Sequence, residues 1–151
     1  MSEGMLLAHA FRFVRGNASP EDAITAGSYP ASGSFINVSG VNFVHCLVEL
    51  GAIAAGDAPT FTIQATSAAN GTLATVDSTN LAITLTATDD DKFVYFGFPT
   101  SVLPTDSHFV TVTAGGTLSN GTQASVIWML DDMEKPVTQA AFVTGGILYA
   151  A

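Results

Sequence analysis

Positive charge is what this chain has least of. Four Lys and Arg stand against 13 Asp and Glu, a formal net charge of −9 over 151 residues. Neutralising phosphates takes clustered basic side chains, so the sequence predicts no nucleic-acid partner. Cysteine is nearly absent as well. The single Cys46 rules out an intrachain disulfide and a zinc site built of cysteines, and inside Val44–Val48 it reads as a small buried apolar side chain. No run approaches the roughly 18–20 uninterrupted apolar residues that span a bilayer. Met5-Leu6-Leu7, followed by Arg12 and Arg15, is too short for the core of a secretory signal. The expectation is a cytoplasmically made, soluble chain with no membrane partner.

The residues of chemistry are equally thin. His9, His45 and His108 have no Gly-x-Ser-x-Gly elbow to work with and lack His-x-x-x-His spacing, so neither a hydrolytic triad nor a histidine zinc site is expected. Phosphate loops and dinucleotide fingerprints are missing. Two acidic clusters remain, Asp89-Asp90-Asp91 and Asp131-Asp132-Glu134. Adjacent carboxylates on β loops can hold calcium, but no EF-hand loop pattern occurs, and charged caps at strand ends account for both clusters. Trp128, the one tryptophan, lies within an apolar strand and reads as core rather than as a sugar platform. No catalytic residue, metal or cofactor is expected.

What is there is β grammar. Hydrophobic residues make up 48% of the chain and charged ones only 11%, which argues against disorder. Residues 5–15 alternate, with Leu7, His9, Phe11 and Phe13 on one face. Gly16 to Ser34 reads as a long connection, in which Ser19-Pro20-Glu21-Asp22 has the layout of a helix start and predicts one short helix near 20–26. Phe35 to Ile53 is almost continuous strand material broken at Gly40 and Gly51, and Val41–Leu50 is apolar at both parities. A helix over 43–55 is the competing reading.

Thr60–Thr66 alternates cleanly, with Phe61, Ile63 and Ala65 facing one way, and Asn70-Gly71 supplies a turn with positive φ. Leu73–Val76 and Leu81–Ala87 follow. Lys92–Phe98 is aromatic on both faces, so one face is expected to meet something beyond the core. His108–Ala114 then leads through Gly115-Gly116 and Asn120-Gly121 into Ala124–Leu130, which reads as two adjacent antiparallel strands. About eight short strands predict an all-β, antiparallel two-sheet β-sandwich, with the jelly roll as one form and a closed barrel as the alternative. A single domain is expected over 1–136. Residues 137–151, which contain no charge, form either a final strand of it or an extended arm hinged at Gly145-Gly146.

The C-terminal third resembles small virion proteins of tailed bacteriophages. In these, an aromatic-Val-x-Val-Thr-x-Gly-Gly-Thr strand precedes an apolar strand and a charged turn with proline. Here those are Phe109–Thr117, Ala124–Leu130 and Asp131–Pro136, and Lys92-Phe93-Val94-Tyr95-Phe96 is similar to their basic-aromatic-Val strand. The resemblance covers residues 59–136 and ends at Pro136. It implies a capsid decoration, or cement, protein on the outside of the virion. Its expected partners are the major capsid protein and copies of itself, as a trimer. Contacts are then expected at Leu7, Phe11 and Phe13 of the first strand, at Phe93, Tyr95, Phe96 and Phe98, and at Phe142, Ile147, Leu148 and Tyr149 of the arm. A tail or head–tail connector component and a carbohydrate-binding module are the alternatives.

Overall fold

Strict alternation along Thr60–Thr66 sends Phe61, Ile63 and Ala65 to one side of a strand, and all three are fully buried. The same two-residue period organises the whole of the computed structural model, which describes residues 11–17 and 23–131. Ten strands follow in order: β1 (Phe11–Arg15), β2 (Gly27–Tyr29), β3 (Ile36–Asn37), β4 (Phe43–Leu50), β5 (Ala58–Thr66), β6 (Ala74–Thr75), β7 (Ala82–Thr84), β8 (Phe93–Pro99), β9 (Phe109–Thr117) and β10 (Ala124–Asp131). Two single 3-10 turns, Ala87–Asp89 and Thr100–Val102, flank β8.

The pairing is nested. β1 pairs with β10, β2 and β3 with β9, β4 with β8, and β5 with β6 and β7, all antiparallel. Two further ladders, β10 with β4 and β9 with β5, join these pairs sideways. The result is a four-stranded sheet in the order β1-β10-β4-β8, facing a six-stranded sheet built on β2-β9-β5-β6. Counting β2 with β3 and β6 with β7 as interrupted strands, this is the eight-stranded jelly roll.

Between the sheets lies one apolar layer. Val44, Cys46, Val48, Val126, Trp128 and Leu130 from one sheet meet Phe61, Ile63, Val110 and Val112 from the other, all with no measurable exposure. Burying each large side chain of this kind contributes about 1.5–3 kcal/mol. Trp128 also crosses the layer, its indole Nε1 donating to the carbonyl of Tyr29 on β2 at 3.2 Å.

Several expectations are corrected here. β9 and β10 are not neighbours: they lie in different sheets, because Leu118–Gln123 crosses the sandwich instead of closing a hairpin. Gly115-Gly116 is not a turn but part of β9, opposite Thr60 and Pro59. No helix occupies residues 23–26, where Ala23 instead bridges Gln123, and residues 20–22 lie outside the described part. The 43–55 segment is a strand to Leu50. Asn70-Gly71 does turn, but neither residue has positive φ. Gly71 is instead required because a side chain there would run into the Thr66 hydroxyl.

The crossing between β9 and β10 has an anchor that alternation does not reveal. Asp57, 5% exposed, accepts from the backbone of Ser119 at 3.0 Å, from the Asn120 side-chain amide at 3.0 Å and from the Thr122 hydroxyl at 2.7 Å. Thr122 Oγ1 in turn accepts from the Ala54 backbone at 2.9 Å. These bonds, led by that from Thr122, hold the Asp57 carboxyl below its ordinary pKa.

Candidate interaction face

Each sheet has an outer side, and the two differ in chemistry. On the six-stranded sheet, the register places Thr60, Thr62 and Gln64 of β5 beside Gly115, Thr113 and Thr111 of β9. Thr84, Thr75 and Ser28 extend the same side. Hydroxyls satisfy one another or the backbone there: Thr113 donates to Gln64, and Thr111 to the carbonyl of Pro30 at 2.8 Å. Thr66 and Thr111 are buried there and Phe109 lies opposite Thr66, so the part of this side that meets water is the threonine row from Thr60 and Thr62 to Thr75 and Thr84.

The four-stranded sheet offers the reverse. Its ladders align Phe13 with Met129 and His45, Arg15 with Ile127, Leu47 and Tyr95, and Ser125 with Glu49 and Phe93. Phe43 and Phe11 extend the end nearest His45. Leu47, Ile127, Met129 and Phe43 are half-buried, while Phe93 and Tyr95 are 61% and 57% exposed. Charge is confined to its margins, at Arg15, Glu49 and Asp131. Among the described residues, the exposed part of this side is therefore largely apolar.

His45 sits at the centre of an aromatic cluster. Its ring meets Phe11 edge-on with centroids 5.5 Å apart, Phe43 at 4.9 Å and Tyr95 at 5.8 Å. Its Nδ1 shares a hydrogen bond of 2.6 Å with the Tyr95 hydroxyl. Desolvation by these neighbours lowers the imidazole pKa, partly offset by the negative charge of Asp131.

The residues expected to make contacts divide between face, core and undescribed segments. Phe11, Phe13, Phe93 and Tyr95 all lie on the outer side of the four-stranded sheet. Phe96 and Phe98 do not: at 4% and 2% exposure they fill the core, because they alternate with Tyr95 on the same strand. Leu7, Phe142, Ile147, Leu148 and Tyr149 lie outside the described residues, as do His9, Asp132 and Glu134. Leu47, Ile127, Met129 and Phe43 belong to the face although no contact was expected of them. The signal was present, since Val126 to Leu130 is apolar at both parities and only one parity can face the core.

The alternatives find little material. Trp128 is wholly buried and offers no platform to a sugar. The Asp90 carboxylate is occupied by the backbone of Ile53 at 2.6 Å, and Asp89 by Lys92 at 2.8 Å and the Thr86 backbone at 2.9 Å. Among the described residues, no group of three or more His, Cys, Asp or Glu is placed to hold a metal ion. Cys46 is buried on the inner side, which pushes its thiol pKa well up.

No protein-family model matches the chain, and no curated protein matches it. Among solved structures, the coat protein of Tobacco streak virus overlays with a TM-score of 0.42 at 12% identity, over 94% of this chain and all of that one. The likeness is one of outline, and neither family nor function follows from it.

Proposed function

We propose that the chain is a structural virion protein, a decoration (cement) protein that binds the outside of a phage head. The contrast between its two outer sides carries this reading. A freely diffusing jelly roll would keep both sides as polar as the threonine side of the six-stranded sheet. Here the other side presents Leu47, Ile127, Met129, Phe93 and Tyr95, which is the chemistry of a permanent contact. Jelly rolls serve capsids, lectins and cupins alike. The sequence resemblance over residues 59–136 supports the virion among these, and the net charge of −9 suits a position away from packaged DNA.

The partners are then the major capsid protein, met through the apolar side, and further copies of the chain. A stable contact buries about 1,200–2,000 Å² in total, and repetition over a lattice multiplies modest individual energies. Shells lacking the protein, incubated with purified chain, are expected to bind it saturably and to melt at higher temperature. Leu47→Asp and Ile127→Asp should abolish the binding, whereas Thr62→Asp on the opposite side should leave it intact. Equal loss from both sides, or no binding at all, refutes the reading. Deleting residues 137–151 should weaken binding if they act as an arm.

A further inference from the structure

An asparagine followed by glycine carries a latent reaction, because no side chain hinders the glycine nitrogen from attacking the asparagine Cγ. Of the asparagines in this chain, only Asn70 and Asn120 precede glycine. Both are exposed, yet the fold restrains them differently. At Asn70 the nucleophile is occupied: the Gly71 amide donates to the Ala68 carbonyl at 3.0 Å, and the Thr66 hydroxyl crowds the glycine. At Asn120 the nucleophile is open. Gly121 is exposed, with φ of +94° and no neighbour within 4 Å of where a Cβ would stand. What is occupied there is the asparagine itself. Its side-chain amide and its backbone amide both donate to the Asp57 carboxylate, at 3.0 Å and 3.1 Å.

We propose that Asn120 is a deamidation site guarded by Asp57, and that reaction there makes a local opening of the crossing between β9 and β10 permanent. While the carboxylate holds Nδ2, the side chain is not free to swing its Cγ onto the Gly121 nitrogen. Local opening, of the kind that connections undergo most readily, releases it. The Gly121 nitrogen then gives its proton to solvent base and bonds to Cγ. The Cγ–Nδ2 bond breaks, and the amide leaves as ammonia with a proton returned by solvent, closing a succinimide. Water opens that ring at either carbonyl, leaving aspartate or isoaspartate. One water is consumed, one ammonia is released, and nothing is oxidised or reduced. The product has no Nδ2–H to donate, and it sets a second carboxylate against Asp57, itself only 5% exposed. Two carboxylates sharing one site disfavour each other's charge. Isoaspartate also adds a methylene to the backbone two residues before Thr122, whose hydroxyl bonds Asp57 at 2.7 Å. The crossing therefore does not close again as before.

The chemistry involves no partner, so the full chain alone tests it. Cleavage after Lys92 puts Asn70 and Asn120 in separate peptides, and mass spectrometry then measures the acid formed at each. At mildly alkaline pH, Asn120 should deamidate about tenfold or more slowly in the folded chain than in urea, the scale of one hydrogen bond to a charged group. Asp57→Ala should bring Asn120 to the urea rate and leave Asn70 unchanged. Parent chain deamidated at Asn120, isolated by anion exchange, should unfold at lower urea than chain deamidated at Asn70. If Asp57→Ala does not fold, this comparison of the two parent forms decides. Equal rates at Asn120 in the folded and unfolded parent, a folded Asp57→Ala chain as slow as the parent, or an Asn120-deamidated chain as stable as its parent overturns the proposal.

Discussion

The hydroxyl of Thr122 donates to the carboxylate of Asp57 at 2.7 Å, with both residues buried, and so ties the connection after β9 to the start of β5. Removing either partner leaves the other one hydrogen bond short. Thr122→Val leaves one carboxylate oxygen and the Ala54 amide short of a partner, and should cost about 1–3 kcal/mol in urea unfolding. A variant as stable as the parent would show that the crossing is held by packing alone.

Acid should act through the same carboxylate. The folded pKa of Asp57 lies below the unfolded value of about 3.9. Above that value the charge is present in both states and the contribution is complete. As pH falls through it towards the folded pKa, the unfolded chain takes up the proton first and stability is lost. Between pH 5 and pH 2, taken as roughly bracketing that window, the parent should therefore lose stability more steeply than Asp57→Asn. Parallel curves would remove Asp57 from the acid response.

His45 has the opposite charge type but the same slope. Its folded pKa is lowered, so the unfolded chain protonates first as pH drops below about 6.5. Stability is complete above that value and declines below it until the folded imidazole also titrates. Proton NMR should place the His45 midpoint under 6.5, and Asp131→Asn should lower it further by removing the nearby negative charge. A rise on that substitution would contradict the electrostatics described.

Trp128 offers both a probe and a weak point. Being the one tryptophan and wholly buried, it should emit in the blue until the sandwich opens. Trp128→Ala removes a large core side chain that bridges to Tyr29, and should cost about 3–5 kcal/mol, a large share of the roughly 5–15 kcal/mol typical of whole domains. A small loss on chemical denaturation would mean that the core closes over the gap.

Gly116 combines φ of +75° with a close approach to the Ala58 carbonyl. Gly116→Ala should destabilise by about 1–3 kcal/mol. Gly115→Ala, whose new methyl would meet only the Thr60 hydroxyl at 3.1 Å, should do less harm. Equal effects would assign both losses to β9 as a whole.

These residues show where the sequence speaks and where it falls silent. Alternation reports the side of a strand, so Phe61, Ile63, Ala65 and the outward Phe93 and Tyr95 could be read from periodicity. It does not report the neighbour. The segments around Gly115-Gly116 looked like a hairpin, because glycine pairs punctuate turns more often than strands. β10 pairs with β1 and β4, strands far from it in sequence, and no local window contains those partners. The virion resemblance implies contacts along the whole aromatic segment, Phe96 and Phe98 included, whereas parity places those two inside. Asp57 left no trace at all: Gly56-Asp57-Ala58-Pro59 reads as an ordinary turn, and its partners lie more than sixty positions away.

Phe11 stands opposite Asp131 in the ladder between β1 and β10, so the first of the described strands waits for the last of them. Closing so wide a loop is slow relative to local hairpins. Until it closes, β4 also lacks one neighbour, and nascent chains on one messenger RNA carry unfinished sheets within reach of each other. Slower translation or lower growth temperature should therefore raise the soluble yield more than any single stabilising substitution.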